Sequence, residues 1–258
     1  LAAIGACAGL VERGDPDRFA AVMAAPVAAR GPLFVLYAFN LEVARAPWVT
    51  KEPMIAEMRL QWWRDVRGDA VAGKRRAHEV AGPLADLIVA RGLDVAVLDR
   101  LVEARRWDVY TDPFEDAAAL EAYLDDTAAG LMWAAAQALG ARPADEAAVR
   151  GLGWATGLAN YLRAVPDLEA RGRLPLVDGR PEAVAALARR GLARLASSRP
   201  GLRSLPVGAR PALIAGWQAD GLLRQVMAEP RRVAEGRMGL SEFARRLGLI
   251  KAGVFGRV

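Results

Sequence analysis

The chain has one cysteine, Cys7, and one histidine, His78. The first leaves no internal disulfide to close, and the second excludes a metal centre built on paired histidines. A reducing compartment follows, with the cytoplasm as the expected place. The β-branched alternation that marks strands is almost missing. Zinc-ligand spacing, an aromatic RNA-binding strand and a basic-region helix are all lacking, so nucleic acid is not an expected partner. The apolar opening from Leu1 to Val11 carries no basic leader and falls short of the ~20 residues that a bilayer span needs. Because the chain begins at Leu1 rather than Met, residues ahead of it are expected in the parent protein, and an anchor among them stays open.

What is present is a chain of 258 residues, enough to bury a large core, and 1–258 reads as one domain. Hydrophobic residues make up 53% and charged residues 25%, an ordinary globular balance with a mild apolar excess that suits a helix-lined cavity. Basic residues outnumber acidic ones by 35 to 30, and nearly all are arginines spread along the chain. That distribution fits a solvated surface, and it also fits an anionic partner such as a phosphate or a membrane face.

Alanine and leucine at three-to-four spacing predict helices throughout. Asp15-Pro16 reads as an N-cap followed by a first-turn proline, Gly31-Pro32 as a break between two helices, and Ala46-Pro47 as the end of the second. Further helices are predicted over Pro53–Val71, His78–Ala90, Val95–Val109, Ala117–Leu139, Ala144–Val165, Glu182–Leu195, Arg210–Met227 and Ser241–Leu247. Turns fall at Asp178-Gly179-Arg180-Pro181 and Ser197-Ser198-Arg199-Pro200-Gly201. No repeat period or low-complexity linker suggests a second domain.

Three stretches carry a family likeness. The first is Phe19 to Phe39, with Pro26, Arg30 and the run Leu36-Tyr37-Ala38-Phe39. The second leads from Trp107-Asp108 through Tyr123 to Met132. The third is Gly157 to Pro175, with Asn160, Leu162, Arg163, Val165, Gly172, Arg173 and Pro175. Together they resemble the squalene/phytoene synthase family, and weaker matches at Arg210-Pro211-Ala212-Leu213 and Pro230 to Arg237 extend the likeness. The resemblance implies an all-α, isoprenoid-synthase-like helical bundle of eight to ten helices around a central cavity. It also implies that active members join two prenyl diphosphates head to head with Mg²⁺ held between two aspartate-rich helices. Magnesium wants hard oxygen ligands, and the leaving diphosphate needs its charge neutralised as the bond breaks.

The chain departs from that pattern at its decisive positions. The first pair of aspartates would fall on Ala44 and Trp48, with Arg45 between them; the second pair would fall on Ala164 and Leu168, leaving only the displaced Asp167 and Glu169. This resembles the family's noncatalytic branch, which includes the mitochondrial assembly factor for respiratory complex I and shares the run Arg59-Leu60-Gln61-Trp62-Trp63-Arg64. No catalytic residue, no metal ligand and no cofactor is therefore expected, Mg²⁺ entering only if the chain is an enzyme after all. Tyr37, Asn40, Arg45, Asp108, Asn160, Arg163, Arg171 and Arg173 are the candidate cavity or anion-binding residues. The arginines among them suit phosphate directly, and Asn160 is either a polar cavity residue or a buried amide satisfied by its neighbours.

Other groupings have plainer readings. Asp108 and Asp112 have clamp spacing, but Pro113 points to a helix end with Asp112 in a turn or cap. Asp125-Asp126 and Trp62-Trp63 are adjacent and cannot share a helix face, so a solvated acidic face is expected, with one tryptophan inside and the other at a rim. The tail from Arg237 through Arg245-Arg246 to Lys251 and Arg257, interleaved with Leu240, Phe243, Leu247, Leu249, Ile250, Val254 and Phe255, either lies on an anionic membrane or packs on the bundle. The expected function is that of a noncatalytic, partner- or lipid-binding assembly-factor-like protein. Its candidate contacts are a respiratory-complex subunit, a prenyl phosphate or lipid, and the inner membrane surface. The competing class is a divergent prenyltransferase using Asp108, Asp112, Asp167 and Glu169.

Overall fold

The computed structural model describes residues 2–255, and among them every regular element is helical. Residues three and four apart share a helix face, and here those positions carry mostly Ala, Leu and Val, so nearly every segment has an apolar stripe to bury. α1 (Ala2–Gly14) turns at Asp15 into α2 (Pro16–Met23). There the Asp15 carboxylate accepts from the Arg18 backbone amide at 2.9 Å, and Pro16 occupies a position where no intrahelical N–H is lost. α3 (Val27–Arg45) runs into a 3-10 turn, Ala46–Trp48. α4 (Pro53–Val71), α5 (Ala81–Arg91) and α6 (Val95–Ala104) follow, and α6 tightens into a 3-10 turn at Arg105–Asp108. α7 (Ala117–Leu124) and α8 (Gly130–Ala138) flank a π turn, Asp125–Ala129. α9 (Glu146–Ala170), α10 (Pro181–Ser204), α11 (Ala219–Ala228), α12 (Arg231–Ala234) and α13 (Glu242–Phe255) complete the set.

α9 is the axis of the bundle, packed by α8, α10, α11, α12 and the π turn. Its Trp154 is wholly buried, donates its indole N–H to the Glu121 carbonyl at 3.1 Å and lies under the Arg194 guanidinium. Close approach to the π turn requires glycine: a Cβ at residue 153 would stand 2.7 Å from the Ala129 Cα, and one at 157 would collide with the Ala128 Cβ. Val27–Trp48 is apolar and long enough to cross a membrane by composition, yet in the bundle it is a core element under α1, α2, α5 and α8. A contiguous apolar cluster joins Cys7 of α1 to Ala252 of α13. Each Leu fully buried in it contributes about 1.5–3 kcal/mol.

Several expected breaks are not breaks. Pro32 lies inside α3, Pro166 inside α9 and Pro200 inside α10, so Gly31-Pro32 and the stretch Ser197 to Gly201 are helical rather than turns. An interior proline costs about 3 kcal/mol. In each case the stripe resumes beyond it, at Leu33, Leu168 and Leu202, and its packing outweighs the lost bond. Conversely, His78 stands ahead of α5, where its Nδ1 accepts the amides of Val80 and Ala81 at 3.1 and 3.3 Å. The segment Arg210–Met227 opens as a 3-10 run, Arg210–Gly216, and α13 extends well past Leu247. These 3-10 and π interruptions divide the described residues into thirteen α segments instead of the expected eight to ten.

Candidate functional site

Two helix stripes face a cavity of about 820 Å³. Along α3 and its 3-10 extension, Asn40, Ala44 and Trp48 recur at four-residue spacing, with Arg45 beside them; along α9 and its C-cap residue Arg171, Gly157, Asn160, Ala164, Leu168 and Arg171 recur at three and four. Such spacing stacks side chains one turn apart, so each helix offers a continuous wall. The start of α2, the π turn, Gln218, α11 and Arg245 of α13 complete the lining.

The buried side, or floor, is a polar network in which most groups are paired, while Arg105 Nε and Trp107 Nε1 have no partner among the described residues. Asp108 is 4% exposed, and its Oδ2 accepts from the Arg105 guanidinium at 3.1 Å and from the Tyr123 hydroxyl at 2.9 Å. Arg105 also donates to the Tyr123 oxygen at 2.7 Å. Arg173 donates to the backbone carbonyls of Trp107, at 3.1 Å, and of Asp108. Trp107 stacks on Phe114 with ring centroids 4.0 Å apart, and Tyr123 and Tyr161 close the aromatic cluster. Burial pushes the Tyr123 hydroxyl well up despite the nearby Arg105, so it stays protonated and able to donate. Burial opposes the charge on Arg105, but Tyr123 and Asp108 more than offset it and raise the guanidinium's pKa.

The exposed side, or mouth, is held more loosely. The Trp48 ring lies under the guanidiniums of Arg171 and Arg173, 4.7 and 5.1 Å from its centroid. Asp17 accepts from Arg163 at 3.0 Å and from Arg245 at 2.8 Å, tying α2 to α9 and α13. Burial would raise the Asp17 carboxyl, yet the Gln218 hydrogen bond and those two guanidiniums hold it below the ordinary carboxylate value. Asp15 pairs with Arg18 at 2.6 Å. Among the described residues, Arg45 and Arg171 have no carboxylate partner.

Six of the eight expected residues line this cavity: Asn40, Arg45, Asp108, Asn160, Arg163 and Arg171. Tyr37 and Arg173 stand behind the wall. Tyr37 is buried beneath Arg18, and burial pushes its hydroxyl up to about 12. Arg173 is spent on backbone carbonyls because the 3-10 turn at Arg105–Asp108 leaves them open. Asn160 is a cavity residue whose Oδ1 accepts from Arg163 at 3.2 Å. Arg18, Asp17, Arg105, Gln218 and Arg245 are cavity residues that sequence reasoning missed. Asp17 and Arg245 are 228 positions apart, and no local pattern links them.

The acidic groupings separate. The turn carrying Asp108 ends there, Asp112 is exposed outside the cavity, and Asp116 rather than Asp112 caps α7, accepting the Ala119 amide at 2.8 Å. Asp167 lines the cavity, whereas Glu169 lies outside it. Asp125 and Asp126 pair separately with Arg150 and Arg100, at 3.0 and 3.5 Å. Trp63 is buried while Trp62 sits half-buried against His78 and Arg76. α13 packs its Gly248 on Trp217 and its Gly253 on Ala24, and it leaves Phe243, Leu247, Ile250 and Val254 exposed. Arg257 and the Phe255 side chain lie outside the described residues.

A family model described as squalene/phytoene synthase matches residues 11–177, the stretch that builds most of both stripes. The chain belongs to that family. Among curated proteins, the NADH dehydrogenase (ubiquinone) complex I, assembly factor 6 homolog of Drosophila melanogaster is 34% identical over 179 residues, 66% of this chain and 53% of that protein. The human complex I assembly factor 6 is 27% identical over 162 residues, 62% of this chain and 48% of its own. The chain thus spans about half the length of the curated relatives it matches. Among solved structures, a dehydrosqualene synthase superposes with a TM-score of 0.82 at 16% identity, covering 98% of this chain and 96% of the other. Squalene synthase HpnC from Alicyclobacillus acidocaldarius gives 0.76 at 17%, covering 93% and 96%. At such identities the likeness concerns the fold, an isoprenoid-synthase helical bundle.

Magnesium, implied by squalene/phytoene synthase ancestry, does not fit this donor set. Ala44, Trp48, Ala164 and Leu168, where the resemblance leads one to expect aspartates, are all on the cavity wall. Of the carboxylates that do line it, Asp15, Asp17 and Asp108 are each engaged by arginine, which leaves Asp167. Among the described residues, no three His, Cys, Asp or Glu side chains gather as a metal site. Octahedral oxygen coordination has no such frame to build on.

Proposed function

We propose that the chain is a noncatalytic member of the squalene/phytoene synthase family that acts through a protein partner in the assembly of respiratory complex I. The names of its curated relatives support the assembly role. The observation that carries the noncatalytic part is the cavity wall, where Ala44, Trp48, Ala164 and Leu168 offer no oxygen to a cation. Departure of pyrophosphate needs that neutralisation. Activity belongs to site residues rather than to the bundle, and here the bundle is kept while the ligating side chains differ.

Purified protein incubated with farnesyl or geranylgeranyl diphosphate and Mg²⁺ is expected to release no pyrophosphate and to form no squalene- or phytoene-like hydrocarbon. Turnover would overturn the reading. Deleting the gene in its native cell is expected to lower assembled complex I on native gels, and unchanged complex I would remove the assembly role. Peripheral contact with the inner membrane belongs to the same proposal. It is supported by the outward stripe Phe243, Leu247, Ile250 and Val254 of α13, with Arg246 and Lys251 exposed on the same helix. Cosedimentation with anionic vesicles at low salt tests it, and failure to pellet would leave α13 as a packing element only.

A further inference from the structure

We propose that His78 is a pH-sensitive cap: as a neutral imidazole it holds the start of α5, and as an imidazolium in weak acid it lets that end of the helix open. The inference is independent of the assembly role and of anything that enters the cavity.

The first amides of a helix have no carbonyl ahead of them and need acceptors from elsewhere. At the start of α5 a single residue supplies them. The His78 carbonyl accepts the Gly82 amide at 3.1 Å, and its Nδ1 accepts the amides of Val80 and Ala81 at 3.1 and 3.3 Å. Val80 and Ala81 are wholly buried, so water does not readily replace a lost acceptor. A nitrogen that accepts carries no hydrogen, which fixes the ring as the tautomer protonated on Nε2. Adding a proton at Nδ1 brings three N–H groups to one point with no lone pair among them, and the ring has to turn away. Serine, asparagine and aspartate are the usual caps, and imidazole differs from them in changing charge between about pH 5 and 8.

The surroundings say what the cap holds together. The half-buried ring sits against both tryptophans of α4, 5.2 Å from the Trp62 centroid and 5.6 Å from that of Trp63, and Trp63 meets Phe39 of α3 at 5.4 Å. His78 therefore ties α5 to the aromatic seam between α3 and α4. The charges around it give an imidazolium little to stay for. Arg76 lies over Trp62 and pairs with Asp69 of α4 at 2.7 Å. Arg75 lies over Gly82 and pairs with Asp86 of α5 at 3.0 Å. Glu79 is exposed to solvent, and its carbonyl accepts from the Cys7 thiol of α1 at 3.6 Å. The N-terminus of α5 is itself the positive end of a helix dipole. Acid thus unties the start of α5 and frees the largely exposed stretch 72–79 from Trp62.

The test uses the full chain. Its single histidine gives one imidazole signal in a proton NMR titration, which reports the charge without assignment. Hydrogen exchange of the Val80, Ala81 and Gly82 amides, corrected for intrinsic rates, reads the cap. Over the range in which the imidazole titrates, their protection is expected to fall about tenfold, the effect of losing one N-cap, while α9 stays protected. His78→Asn places an amide oxygen where Nδ1 stands and does not titrate, so protection should persist over the same range. His78→Ala, with no acceptor, should show the lower protection at both ends. Circular dichroism melts at neutral pH establish that the variants fold, and if His78→Ala does not, the wild-type and His78→Asn chains decide alone. Equal protection in the neutral and charged wild-type chain, or the same loss in acid for His78→Asn, would overturn the proposal.

Discussion

The floor and the mouth of the cavity are built from the same residue types and treat them in opposite ways. At the floor, Asp108 and Tyr123 are buried, the largely buried Arg105 is bonded to both, and Arg173 is spent on backbone carbonyls. At the mouth, Arg45 and Arg171 are exposed, and their forks meet no carboxylate among the described residues. The lesson is that a charged residue in a cavity is a candidate for binding only when no carboxylate or carbonyl of the protein already engages it. A buried ion pair that closes on itself is part of the scaffold.

The comparison breaks most visibly at the floor. Asp108→Ala leaves Arg105 charged and without its carboxylate in a largely buried place, so a loss of about 3 kcal/mol is expected in chemical denaturation. A smaller effect is expected on the wall between the two regions. Gly157→Val forces a branched side chain against Ala128, where even a Cβ collides, and should cost about 1–3 kcal/mol as α9 and the π turn separate. Smaller again is Arg171→Ala at the mouth, which gives up a half-exposed contact with Trp48 of about 0.5–1 kcal/mol. If Arg171→Ala proved as damaging as Asp108→Ala, the division between scaffold and binding charges would not hold.

How far this division was legible in the sequence depends on the range of the interaction. The stripes Asn40-Ala44-Trp48 and Gly157-Asn160-Ala164 follow from helical spacing, and both line the cavity as that spacing requires. The Asp15 cap and the division of Trp62 and Trp63 between rim and core were equally local, although which of the two points inward was not. The prolines at 32, 166 and 200 misled because their local penalty is opposed by the burial of residues further along the same helix. Arg173 was read as an anion ligand because its sequence neighbourhood fits. Its real partners are carbonyls exposed by the 3-10 turn at Trp107 and Asp108, 65 or 66 residues away. The π turn has no pattern of its own, and the meeting of Arg245 with Asp17 depends on the whole bundle having folded.

That last meeting gives the finest test of the mouth. Asp17 joins α2 to α9 and α13, and its folded-state pKa is depressed below the ordinary 3.8. A depressed carboxylate contributes stability that is fully present above its unfolded value and is lost as the pH falls through its folded value. The tie should therefore be intact near neutrality and fail only below 3.8, toward the depressed value. Each pair is partly exposed, so about 0.2–1 kcal/mol is at stake, too little to unfold the bundle. Hydrogen exchange of residues 242–255, corrected for intrinsic rates, is expected to hold steady down to about pH 4 and then to quicken while α9 stays protected. Asp17→Asn should reproduce that faster exchange at neutral pH. If α13 exchanges alike in both proteins at every pH, its place at the cavity rests on Gly248 and Gly253 packing against Trp217 and Ala24 rather than on the Asp17 tie.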